Sequence, residues 1–141
     1  RLRANSVSSG QILALDLGRA KSGIARASSV ARLPEPLKTV ATEQLLPTLK
    51  DIAKQGDIEA IVVGLPRGLS GQETEQTRWV RDWAKRLKTE MPGTSLYWQD
   101  EALTSQQAQA QGAQKADEDA VAASIILRDF LESDEKTRSE I

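Results

Sequence analysis

Along this chain of 141 residues, short apolar runs and helical stripes alternate. The run "QILALDL" (11–17) ends at Gly18, and in "GIARASS" (23–29) small and polar residues alternate around Ile24; joined by a short turn, the two predict a β-hairpin. A third strand is expected near "LKTVA" (37–41), after a turn held by Pro34 and Pro36. In "TEQLLPTLKDIAKQG" (42–56), Leu45, Leu46, Leu49, Ile52 and Ala53 share one face at helical spacing, and Gly56 is a typical stop; Pro47 fits only in the first turn. "EAIVVGLP" (59–66) is apolar throughout, the pattern of a strand covered on both faces.

Next, "SGQETEQTRWVRDWAKRLKTEM" (70–91) places Trp79, Val80, Trp83, Ala84 and Leu87 on one side, with acidic residues early and basic residues late. "TSLYWQDE" (94–101) is a further short strand. "SQQAQAQGAQKA" (105–116) suits a short helix and a mobile loop. "DEDAVAASIILRDFLES" (117–133) is a helix with a strong apolar face. The expected fold class is therefore α/β, with a mixed central sheet built from an initial β-hairpin plus further strands and flanked by helices. One domain over residues 11–132 is expected, between a disordered or appended leader at 1–10 and a flexible tail at 133–141.

Composition narrows the chemistry. There is no Cys and no His, which removes disulfides, Cys/His zinc sites and every Ser-His or Cys-His nucleophile system. No window approaches the ~20 apolar residues of a membrane helix, and the two early Arg are not followed by the apolar core of a secretory signal, so a cytoplasmic protein without membrane contact is expected. The net charge of −1 hides an asymmetry: Arg19 to Lys38 carries five basic residues against one acidic, and Ala113 to Ile141 four basic against eight acidic. The basic segment directly follows Asp16 and can attract a polyanion.

Asp16 is itself the anomaly, because an ionised carboxylate inside an apolar strand is costly unless a cation or hydrogen bonds compensate it. Glu101 at the end of the last strand and Asp119 at the start of the final helix are two further carboxylates at element ends, where layered α/β folds build sites. Oxygen donors without His or Cys suit a hard cation, Mg²⁺ or Mn²⁺, as one ion or a pair. Each also has a plainer use: Asp16 closing the turn to Gly18, Glu101 on the surface, Asp119 as a favourable charge at a helix N-terminus.

Taken together, "LALDLGRAKSGIA", "IVVGLPRGLSGQETEQTRWVRDWAKRL", "DEALTS" and "DAVAASIILRDFL" resemble, in order, the four signature blocks of the YqgF family of pre-16S rRNA nucleases and Holliday-junction resolvase-like proteins. The resemblance implies an RNase H-like fold and a divalent-metal site of Asp16, Glu101 and Asp119, with Asp100 a weaker candidate. It implies a metal-dependent nuclease that matures the 5′ end of precursor 16S rRNA. The alternatives are a dimeric resolvase of four-way DNA, or a non-catalytic module binding nucleic acid or the ribosome. Arg19, Lys21, Arg67 and Thr104 are the substrate-binding candidates. Expected partners are structured RNA or branched DNA and the ribosome or its precursor, the chain acting as a monomer or homodimer. Ala102 stands where the family usually has an Arg, and "GAQKADED" is acidic where relatives are basic, which lowers the expected affinity for nucleic acid.

Overall fold

The computed structural model describes residues 10–68, 70–101, 118–133 and 138–141. Strands β1 (Gln11–Asp16), β2 (Lys21–Ser28), β3 (Glu35–Ala41), β4 (Ile58–Pro66), β5 (Ser95–Glu101) and β6 (Ser139–Glu140) form one mixed sheet in the order β3-β2-β1-β4-β5-β6. The expected hairpin is β1–β2, antiparallel, with Asp16 opposite Gly23. β1, β4 and β5 run parallel, so their C-terminal ends meet at one edge of the sheet. Pro36 lies in the edge strand β3, where a missing N–H costs no ladder bond on the outer side.

Among the described residues three helices cover the sheet: α1 (Leu45–Gln55), α2 (Glu75–Glu90) and α3 (Glu118–Glu132). α1 follows a single 3₁₀ turn over Thr42–Gln44 and keeps Pro47 in its first turn, as its fixed φ requires. Thr74 caps α2: the Thr77 N–H donates to Thr74 Oγ1 (3.3 Å), while the Thr74 N–H donates to Thr77 Oγ1 (2.9 Å). Thr77 Oγ1 also donates to the Pro66 carbonyl at 2.5 Å, tying the start of α2 to the end of β4. Before the cap, Gly71 has φ +80° in a turn closed by its N–H on the Gly68 carbonyl (2.9 Å), a backbone shape that favours glycine.

Strand alternation divides the core. Leu13, Leu15, Ile24, Ile61, Val63, Leu65 and Leu96 face α1 and α2, whereas Ile12, Ala14, Ala25, Ala27 and Val62 face α3. The α3 side is lined by small residues, so that helix lies close against the strands. Among the described residues no helix is long and apolar enough to cross a membrane.

Both ends of the described chain pair with the sheet. Gly10, placed in the leader, is buried, and its carbonyl accepts the Ser29 N–H (3.1 Å). Within the expected flexible tail, Ser139 and Glu140 pair with Trp98 and Tyr97, and the Ile141 N–H donates to the Leu96 carbonyl (2.9 Å). Ile141 packs on the core, and the Arg138 guanidinium lies 4.1 Å from the centre of the Phe130 ring. Two strand residues within a charged segment carry no readable period. The Gln/Ala-rich stretch at 105–116 lies outside the described residues.

Candidate functional site

Asp16 ends β1, half-buried, on the α3 face of the sheet. Among the described residues its carboxylate makes no hydrogen bond and no ion pair. The turn that follows is closed by other groups. Gly18 N–H donates to Ser22 Oγ (3.4 Å), Thr42 Oγ1 donates to the Gly18 carbonyl (2.5 Å), and the Ser22 and Thr42 hydroxyls are 2.7 Å apart. Gln76 Nε2 adds a bond to the Leu17 carbonyl (3.4 Å). Asp16 is therefore not spent on the turn, and the plainer reading of that residue falls away.

What surrounds Asp16 instead is more negative charge. Burial first, then the charge of Asp119, then that of Glu118, push its pKa from 3.8 up to about 7. Asp119, in the first turn of α3, is itself raised by burial and by Glu118, while the charge of Lys21 draws it back down. Gly23 makes the approach possible. It sits opposite Asp16 in the hairpin, and a β-carbon there would collide with the backbone carbonyl of Asp119 and the nitrogen of Ala120. The start of α3 thus rests directly on the strand beside Asp16. Sequence reasoning did not single out Gly23; the small residues alternating in "GIARAS" were the available signal.

Glu101 closes β5 on the same α3 face, in line with Tyr97 and Gln99. β4 lies between it and Asp16, which puts the two strands about 9–10 Å apart. Leu15 pairs with Val63 but Glu101 pairs with Pro66, so Glu101 also stands about 7 Å farther along the sheet. Among the described residues no group of three acidic side chains converges at metal-ligating distance. Asp16 and Asp119 come together, with Glu118 beside them, and Glu101 lies on the same face of the sheet across β4.

The cationic candidates divide. Lys21, exposed at the start of β2, shares the face of Asp16 and acts on Asp119. Arg19 lies over the Trp79 ring, 5.2 Å from its centre, and reaches Glu75 at 3.7 Å. Arg67 pairs with Glu73 (3.2 Å) and Asp100 (3.3 Å), and Asp100 points to the α2 side, away from Asp16. Thr104 and Ala102 lie outside the described residues.

The family model for RuvX, described as a Holliday junction resolvase, matches residues 10–133. A protein of Porphyromonas gingivalis described as "Putative pre-16S rRNA nuclease" is 33% identical, covering 90% of this chain and 99% of its own. One of Alcanivorax borkumensis with the same description is 36% identical, covering 89% and 98%. Among solved structures, RuvC of Thermus thermophilus in complex with a Holliday junction substrate superposes with a TM-score of 0.58 at 16% identity, covering 93% of this chain and 99% of that one. At that identity the likeness speaks for the fold, the RNase H-like arrangement that the four sequence blocks implied.

Proposed function

We propose, from the premise that this chain belongs to the RuvX family, that it is a metal-dependent nuclease whose natural substrate is the 5′ region of precursor 16S rRNA. One observation carries the reading: a half-buried Asp16 without hydrogen bond or ion pair among the described residues, beside Asp119 and Glu118, in a site with no His or Cys. Such a cluster of oxygen donors fits a hard divalent cation.

Asp16 and Asp119 would hold that cation, and Glu101 would complete the set from across β4. When bound, Mg²⁺ or Mn²⁺ supplies the positive charge that polarises the phosphodiester and activates water. The chain's own residues do the rest. Lys21, on the same face, meets the phosphate backbone and keeps it over the carboxylates. Arg19, held at the tip of the braced turn by Trp79 and Glu75, adds positive charge beside it. Gly23 and the Ser22–Thr42 pair keep Asp16 and the α3 terminus in fixed relation, so that the repelling carboxylates stay in place before the cation arrives. Lys21→Ala is expected to weaken binding at every sequence and to lower the salt-dependence slope by about 0.7–0.9, as for one lost phosphate contact; binding isotherms at several salt concentrations read this.

The description of the family favours a second substrate, a four-way DNA junction. Cleavage of a labelled precursor-rRNA leader and a labelled junction, side by side with Mg²⁺, Mn²⁺ or EDTA, tests both. Metal-dependent cutting of the leader is expected. Preferential cutting of the junction would select the second substrate, and binding of both without cutting would make the chain a binding module.

A further inference from the structure

The end of β5 is held by an apparatus that the proposed chemistry does not use directly. Pro66 pairs with Glu101 at the end of the parallel β4–β5 ladder. The Arg67 N–H makes the last bond of that ladder, donating to the Glu101 carbonyl at 3.1 Å. The Arg67 side chain then reaches both neighbours, Nε to Asp100 Oδ1 (3.3 Å) and Nη1 to Glu73 Oε2 (3.2 Å). Glu73 in turn accepts two bonds from Arg81, at 3.1 and 2.7 Å, and the Arg81 guanidinium lies 5.2 Å from the centre of the Trp98 ring.

We infer that Arg67, Glu73 and Arg81 are positioning residues for Glu101, setting the rotation of the last residues of β5 and with it the aim of that carboxylate. The inference rests on the metal-holding reading above. Trp98 and Asp100 face α2 while Glu101 faces α3, so gripping the former pair from one side fixes where the latter points on the other. A strand end held by a single ladder bond would otherwise fray. The network is partly exposed, and surface ion pairs of this kind add little to stability. Its value lies in geometry, in the way that groups behind a metal ligand orient it. Arg67, a substrate-binding candidate on sequence alone, has its guanidinium committed to two carboxylates of its own chain.

Calorimetric titration of Mn²⁺ into the intact protein tests this. Arg67→Met and Glu73→Gln are each expected to weaken Mn²⁺ binding by roughly tenfold, while melting temperature moves by no more than about 4 °C. Arg67→Lys, which keeps one ion pair but not the fork, should recover part of the loss. Native Mn²⁺ affinity in Arg67→Met would overturn the inference and leave the metal reading intact. A native protein that binds no Mn²⁺ would overturn the metal reading and this inference with it. Metal-free nucleic-acid binding that weakens in Arg67→Met, with a salt slope reduced by one phosphate, would make Arg67 a substrate contact instead.

Discussion

Asp16→Asn is expected to make the protein more stable and to inactivate it in the same step. In the unfolded chain the Asp16 carboxyl ionises near 3.8, whereas in the folded protein it keeps its proton up to about 7. Between those values the folded state binds more protons than the unfolded state, so this residue's contribution to stability falls as pH rises through the window and levels off above it. The full difference is on the order of 4 kcal/mol for a shift of this size. Asn has nearly the same shape and no charge to desolvate. Without metal, the native protein should therefore lose stability relative to the variant between pH 4 and pH 7, and denaturant titrations at a series of pH values read the difference. Parallel profiles would mean that Asp16 is ionised at no cost. Activity should fall by roughly 10²–10³-fold or more, as when a charge directed at the reacting group is removed. A saturating divalent cation should stabilise the native protein and leave the variant unchanged.

The second large effect falls on a residue with no functional group. Adding one methyl group at Gly23 places a β-carbon against the Asp119 carbonyl and the Ala120 nitrogen, which are backbone atoms that cannot rotate away. α3 must then shift or tilt at its first turn. Overpacking of this kind costs about 1–3 kcal/mol, and a displacement of about 1 Å at a catalytic group can cost 10²-fold in rate. Gly23→Ala should accordingly lower both the unfolding free energy and the cleavage rate. Gly93→Ala is the control: nothing lies within 4 Å of its β-carbon, and a change of less than about 0.5 kcal/mol is expected. If the two variants behave alike, α3 does not rest on Gly23 as described.

Much of this was legible in the chain because period and burial are local properties. "EAIVVGLP" reads as a two-sided buried strand and is one; the apolar stripe from Val80 to Leu87 reads as a helix face and packs as one. Asp16 stood out because a strand should not carry it. The fit around it was not legible, since it depends on residues far apart in sequence. Ser22 and Thr42 are twenty positions apart, and Gly23 is nearly a hundred from Asp119; no periodicity links either pair. Adjacent residues also parted company: Glu101 faces α3 while Asp100 turns to Arg67, because neighbours on a strand point to opposite faces. Arg67 illustrates the same limit, for a cation just past a strand end invites a phosphate until the fold brings Glu73 and Asp100 to it.

The most direct test of the central claim is single-turnover cleavage of a 5′-labelled precursor-rRNA leader by the native protein, Asp16→Asn and Asp119→Asn, each with Mg²⁺, Mn²⁺ or EDTA. Native protein should cut only with a divalent cation, and both variants should bind the leader without cutting it. Cleavage by Asp16→Asn at the native rate would contradict the assignment of that carboxylate to the reaction.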